Sequence, residues 1–125
     1  MTHEISLYHA HVMDHYHNKR HYGVVAAPDF KASGTNPSCG DKITITGRVG
    51  NGIITDMCFT GSGCIISQAA ASMLLEHVAG MTVAQARLLT YDTIEQLLNL
   101  KLGPNRKNCA CLALDILQQA LSALL

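Results

Sequence analysis

The sequence has little charge and no surplus of either sign. Only 14% of its 125 residues are Asp, Glu, Lys or Arg, and nine cations balance nine anions. With no basic run, this argues against nucleic acid as the main partner, because binding a polyphosphate needs clustered Lys and Arg. No apolar run reaches the roughly 18 residues of a membrane span. The opening MTHEISLYHAHVMDHYHNKR lacks the apolar core of a signal peptide. There is no internal repeat, low-complexity tract or interdomain linker. With 48% hydrophobic residues the chain is expected to fold, as one domain over residues 1–125, soluble and cytoplasmic.

A CxxC pair is also missing, which leaves a thioredoxin-like or zinc-ribbon reading without support. The cysteines present are five: Cys39, Cys58, Cys64, Cys109 and Cys111. An odd number does not suit a disulfide framework, and in an intracellular chain it favours metal or sulfur chemistry. The cysteines are far apart in sequence, so any shared site must be assembled by the fold.

Periodicity predicts the elements. Residues from about 4 to 17 read as a helix, with Ile5, Tyr8, Val12 and Tyr16 on one face. KRHYGVVAAPDF reads as a loop leading into an extended piece. DKITITGRV alternates like a strand, GNG is a turn, and IITDMCF is the return strand of an antiparallel hairpin. From Cys64 the pattern becomes an Ala-rich helix that Gly80 can stop. Thr82 and Gln85 form a capping box for a short helix through about Leu89, and Asp92 and Glu95 offer a looser cap for TIEQLLNL. LGPN breaks the chain, and a last helix runs from about Lys107. The expected fold is α+β: a small antiparallel sheet of about three strands, with helices packed on one face.

Cys109 and Cys111 stand in NRKNCACLAL, at the start of that last helix. At about 100° per residue they point roughly 200° apart. Leu112, Ala113, Ile116, Ala120 and Leu124 share the side of Cys109; Asp115, Gln118 and Ser122 share that of Cys111. Cys109 is therefore expected to face inward, as a ligand or a small buried hydrophobe, and Cys111 to face solvent. Cys64 follows GSG and opens a helix, where free N–H groups and the dipole favour a thiolate. Cys39 lies in NPSCGDK, a turn with Gly40 for flexibility and the hard carboxylate of Asp41 close by. Cys58, between Met57 and Phe59, could face either way. His11/His15 and His17/His21 have the i,i+4 spacing of a helical metal pair, although a solvated helix face is the simpler reading.

Taken together, NPSCGD, GSGCIIS and RKNCACLALDIL resemble the U-type iron–sulfur cluster assembly scaffolds, the IscU/SufU/NifU N-terminal family. VMDHYHNKRHYG is similar to that family's Asp-His-Tyr-x-Asn-Pro-Arg-Asn-x-Gly segment, with Lys19 in place of the proline and His21-Tyr22 departing from the pattern. The resemblance implies that Cys39, Cys64 and Cys109 converge, with Asp41 as the fourth group. It implies a scaffold, not an enzyme, although sulfurtransferase activity is open to it. A pyridoxal-phosphate cysteine desulfurase would supply persulfide sulfur, iron would bind, and a transient [2Fe–2S] cluster would pass to apoproteins. Cys109 is the expected persulfide acceptor, with Arg106 and Lys107 lowering its pKa, and Cys64 is the runner-up. The alternative is a zinc-dependent sulfur acceptor of the SufU kind, its zinc held by the same four groups. A metal-stabilised binding module is the third reading. IscU proteins keep a histidine just before the third cysteine and a Leu-Pro-Pro-Val-Lys segment for a chaperone. Here Asn108 and LKLGPNRKN stand instead. SufU proteins lack that histidine but carry an insertion for which this chain has no room.

Overall fold

A computed structural model describes residues 2–124. Helix α1 (Thr2–His17) precedes strands β1 (Phe30–Asn36), β2 (Asp41–Gly50) and β3 (Ile53–Ser62). Four helices follow: α2 (Ile65–Val78), α3 (Val83–Arg87), α4 (Tyr91–Leu98) and α5 (Pro104–Ser122). The strands form one antiparallel sheet in the order β1-β2-β3. Asn51 and Gly52 both take positive φ (53° and 76°), the geometry of a two-residue turn that matches the twist of its strands. The α+β class, the three strands and the hairpin are as the sequence predicts.

Alternation puts Ile43 and Ile45 of β2 and Met57 and Phe59 of β3 on one face, all buried. Helix α2 is buried over most of its length and packs on β3, while α5 packs on β1 and β2. Leu74, Leu75, Leu117 and Leu121 fill the space between them. Along the free edge of β3, Phe59 N–H donates to His21 C=O and Gly23 N–H to Phe59 C=O, each at 2.8 Å. Residues 21–23 thus pair with an edge that would otherwise be open, so the expected loop is tied down. Val12 is buried and Tyr16 half-buried on the apolar side of α1; the side chains of Ile5 and Tyr8 lie outside the described ones.

Three local expectations are corrected. Helix α5 begins at Pro104, ahead of Lys107, because proline at the first helical position gives up an N–H that has no partner there anyway. Helix α4 is preceded by Thr90 with no side-chain cap; Asp92 stands in the first turn and Glu95 accepts the Tyr91 hydroxyl at 3.2 Å. Leu124 lies past the end of α5 and is exposed. The Thr82–Gln85 capping box is present in full. Among the described residues, no helix is long and apolar enough to cross a membrane.

Candidate metal and sulfur site

The sheet builds one half of the site. Cys39 sits on the turn between β1 and β2, where its N–H donates to Asn36 C=O at 3.1 Å. Asp41, paired with Asn36, opens β2 and is 1% exposed. A buried carboxylate needs strong donors. Asp41 Oδ1 accepts the Cys64 N–H at 2.7 Å, and the Cys64 thiol points at Oδ2 from 3.7 Å. Gly63 makes this approach possible. Its φ of +127° is closed to other residues, and a Cβ there would press on the Asp41 carboxylate and come within 2.7 Å of its Cα.

Cys64 is the N-cap of α2, with Sγ accepting the Ser67 N–H at 3.4 Å. That is the helix-start placement its sequence predicts. From the other half, α5 delivers Cys109, 2% exposed, with Sγ 2.8 Å from Cys39 Sγ. Asn36 Nδ2 donates to the same sulfur at 3.5 Å. Ligand atoms of Cys39, Asp41 and Cys109 all lie within 4.8 Å of one another. The three cysteines and Arg106 line a cavity of about 610 Å³, walled by Val12 and Met13 of α1 and by Ile65, Ile66 and Leu100.

Burial pushes the Cys109 thiol well above the ordinary cysteine range, and the neighbouring Cys39, Asp41 and Cys64 push the same way. This reverses the expected lowering by Arg106 and Lys107. Arg106 lines the cavity but is not among the groups that shift Cys109, and Lys107 Nζ lies 4.4 Å over the Tyr91 ring. A cation would draw the proton from the buried sulfur far more effectively than these side chains.

Cys111 is half-buried, not solvent-facing. Helix α4 covers that side of α5, and the Cys111 thiol is raised by burial and then by Asp115, with Lys107 opposing. Cys58 faces away from Met57 and Phe59 and is half-buried. His15 is not on a solvated face: it is 3% exposed, with Nδ1 2.9 Å from Ser72 Oγ. Helix α1 ends at His17, so His17 and His21 do not share a helix. Sequence reasoning missed Asn36 as a partner of Cys109; its only signal was its place at the head of the NPSCGD motif.

The donor set suits a thiophilic ion or a sulfur-rich cluster: three sulfurs and one carboxylate around a single cavity. Residues 7–124 match the family model described as the NifU-like N terminal domain. The zinc-dependent sulfurtransferase SufU of Bacillus subtilis is 31% identical over 134 aligned positions, which cover 94% of this chain and 90% of that protein. That alignment is longer than the chain itself, so the Bacillus protein carries residues with no counterpart here. The iron–sulfur cluster assembly scaffold protein IscU of Buchnera aphidicola from Acyrthosiphon pisum is 36% identical over 115 positions, 89% of each chain. Among solved structures, a SUF-system iron–sulfur cluster assembly scaffold protein from Fervidobacterium islandicum superposes with a TM-score of 0.78. It is 26% identical, and the match covers 89% of this chain and 93% of that one.

Proposed function

The chain belongs to the NifU-like N-terminal domain family of iron–sulfur cluster assembly scaffolds, and we propose that it builds a transient [2Fe–2S] cluster on Cys39, Cys64, Cys109 and Asp41. A cysteine desulfurase supplies sulfur as a persulfide, iron joins it, and the finished cluster passes to apoproteins in the cytoplasm. The observation that carries this reading is the convergence of three thiols and one buried carboxylate on one cavity. The mixed donor set suits a cargo that must leave. Thiolates bind iron and sulfide firmly, while a single hard oxygen gives a weaker corner at which exchange can start. Cys109 is the candidate persulfide acceptor and Cys64 the runner-up; Arg106, on the cavity wall, stands where it would meet an anionic sulfur.

A second reading is favoured by the donor count. Three sulfurs and Asp41 make the four donors that zinc takes, and Asn108, which is exposed, adds no imidazole to them. Zinc bound there would keep the thiols deprotonated and hold the β1–β2 turn, α2 and α5 together, and Asp41 or a thiol would yield its place when sulfur arrives. Anaerobic incubation with iron, cysteine and a desulfurase separates the two. A visible absorption spectrum of a [2Fe–2S] centre, transferable to an apo-ferredoxin, is the expected result. Tight zinc, stimulation of the desulfurase and no cluster would overturn it in favour of zinc-dependent sulfur transfer.

A further inference from the structure

Persulfide sulfur is not yet sulfide: a cluster needs its sulfur reduced, and the scaffold reading above leaves the reductant open. We infer that Cys39 is a resolving thiol that expels the outer sulfur of a Cys109 persulfide as hydrosulfide. The inference rests on the scaffold reading, which supplies that persulfide.

The geometry selects which sulfur is attacked. Cys39 Sγ lies 2.8 Å from Cys109 Sγ, and the S–S bond of a disulfide is only about 0.8 Å shorter. In a persulfide, Cys109 Sγ becomes the inner sulfur, and the outer one extends from it toward the cavity that Cys109 lines. Attack on the outer sulfur would merely pass it along. Attack on the inner sulfur releases it, and the inner sulfur is the one Cys39 already touches. Asn36 Nδ2 donates to that sulfur at 3.5 Å and fixes its position. Cys64 is engaged elsewhere, with its sulfur directed to Ser67 N–H and Asp41 Oδ2.

The step balances without an outside oxidant. The Cys39 thiolate forms a bond to Cys109 Sγ, and the bond between Cys109 Sγ and the outer sulfur breaks. The electron pair of the broken bond leaves with the outer sulfur, which keeps its proton and departs as HS⁻. Two cysteines are oxidised to one disulfide while the outer sulfur is reduced to sulfide. Cys39 is exposed and Cys109 is buried, so a dithiol reductant such as a reduced thioredoxin-type protein meets the disulfide at Cys39. Its attack there restores both thiols for cluster binding.

The full chain, stripped of metal and reduced, is loaded anaerobically with glutathione persulfide and then freed of small thiols. Released sulfide is measured chemically, and cysteine states are mapped by mass spectrometry. The expected result is one sulfide released per Cys39–Cys109 disulfide formed. Cys39→Ser should keep the label on Cys109, with the rate of sulfide release down by about a hundred-fold or more, because an intramolecular nucleophile has been removed. Cys58→Ser and Cys111→Ser should behave as the parent. Persulfide on Cys109 with no sulfide released, or equal release from Cys39→Ser, overturns the inference and leaves the scaffold reading intact. Disulfide mapping in the unmutated chain is a second check that needs no variant: a Cys64–Cys109 bridge overturns the role of Cys39. Label found only on Cys64 overturns both the inference and Cys109 as acceptor.

Discussion

Replacing Gly63 with alanine should break the site and the fold together, and Gly80 provides the control. Both glycines have positive φ, +127° and +84°. At Gly80 a Cβ meets nothing within 4 Å, so Gly80→Ala carries only the conformational penalty, about 1–2 kcal/mol. At Gly63 the same penalty applies, and the new methyl also runs into the Asp41 carboxylate and backbone. Overpacking of this kind adds about 1–3 kcal/mol, for a total of about 3–5 kcal/mol. That is a large part of the roughly 5–15 kcal/mol that holds a domain folded. With a urea slope of about 2 kcal/mol/M, the midpoint should fall by about 1.5–2.5 M for Gly63→Ala and about 0.5–1 M for Gly80→Ala. The displaced carboxylate also leaves the Cys64 N–H without its acceptor, so cadmium titration, followed by thiolate charge-transfer absorbance, should weaken for Gly63→Ala alone. Equal midpoint shifts for the two variants, or unchanged cadmium affinity in Gly63→Ala, would refute the reasoning.

Asp41→Asn keeps an oxygen for the Cys64 N–H but removes the charge; the urea midpoint should move little while zinc affinity in competition with a chelator falls by about ten-fold or more. The His15 pKa is lowered, by burial first and then by Arg20, with Glu76 opposing, so the unfolded chain takes up its proton first. The stability His15 contributes is therefore complete above about pH 6.5 and is lost as pH falls through the lower folded value. Urea midpoints measured from about pH 7.5 to 5.5 should drop more steeply in the parent than in His15→Gln. Gln68 is 2% exposed, and its Oε1 has no hydrogen-bond partner among the described residues. Gln68→Met gives up the contact of its amide with Ser67 but relieves that buried carbonyl, so thermal melts should show a change between zero and about 1 kcal/mol in the stabilising direction.

What was legible in the sequence was what local chemistry decides. The β2–β3 hairpin follows from alternation and from Asn51-Gly52. The start of α2 follows from the glycines before Cys64, and α3 from its capping box. The helical wheel placed Cys109 inward without any knowledge of what it would meet. What escaped depends on elements far away in the chain. His15 is buried because α1 docks on Ser72 of α2, and Cys111 is half-covered because α4 folds back on α5. The acidity of Cys109 was misjudged for the same reason: its neighbours in sequence are cations, but its neighbours in space are thiols and a carboxylate. The donor set itself was read from motifs; its convergence comes from a strand pairing and a helix docking that spacing alone does not encode.

The site is a clamp with one fixed jaw and one movable jaw. Cys39, Asp41 and Cys64 all stand at one end of the sheet, tied by the Asn36–Asp41 and Lys42–Ser62 pairings and by the Cys64–Asp41 hydrogen bond. Cys109 alone comes from α5, held over the sheet by side-chain packing, with Gly34 of β1 leaving room for Ile116. A slide of that helix parts one sulfur from the other three donors while every strand pairing stays in place. Cargo can therefore be let go by loosening a greasy contact, with no part of the sheet unzipped.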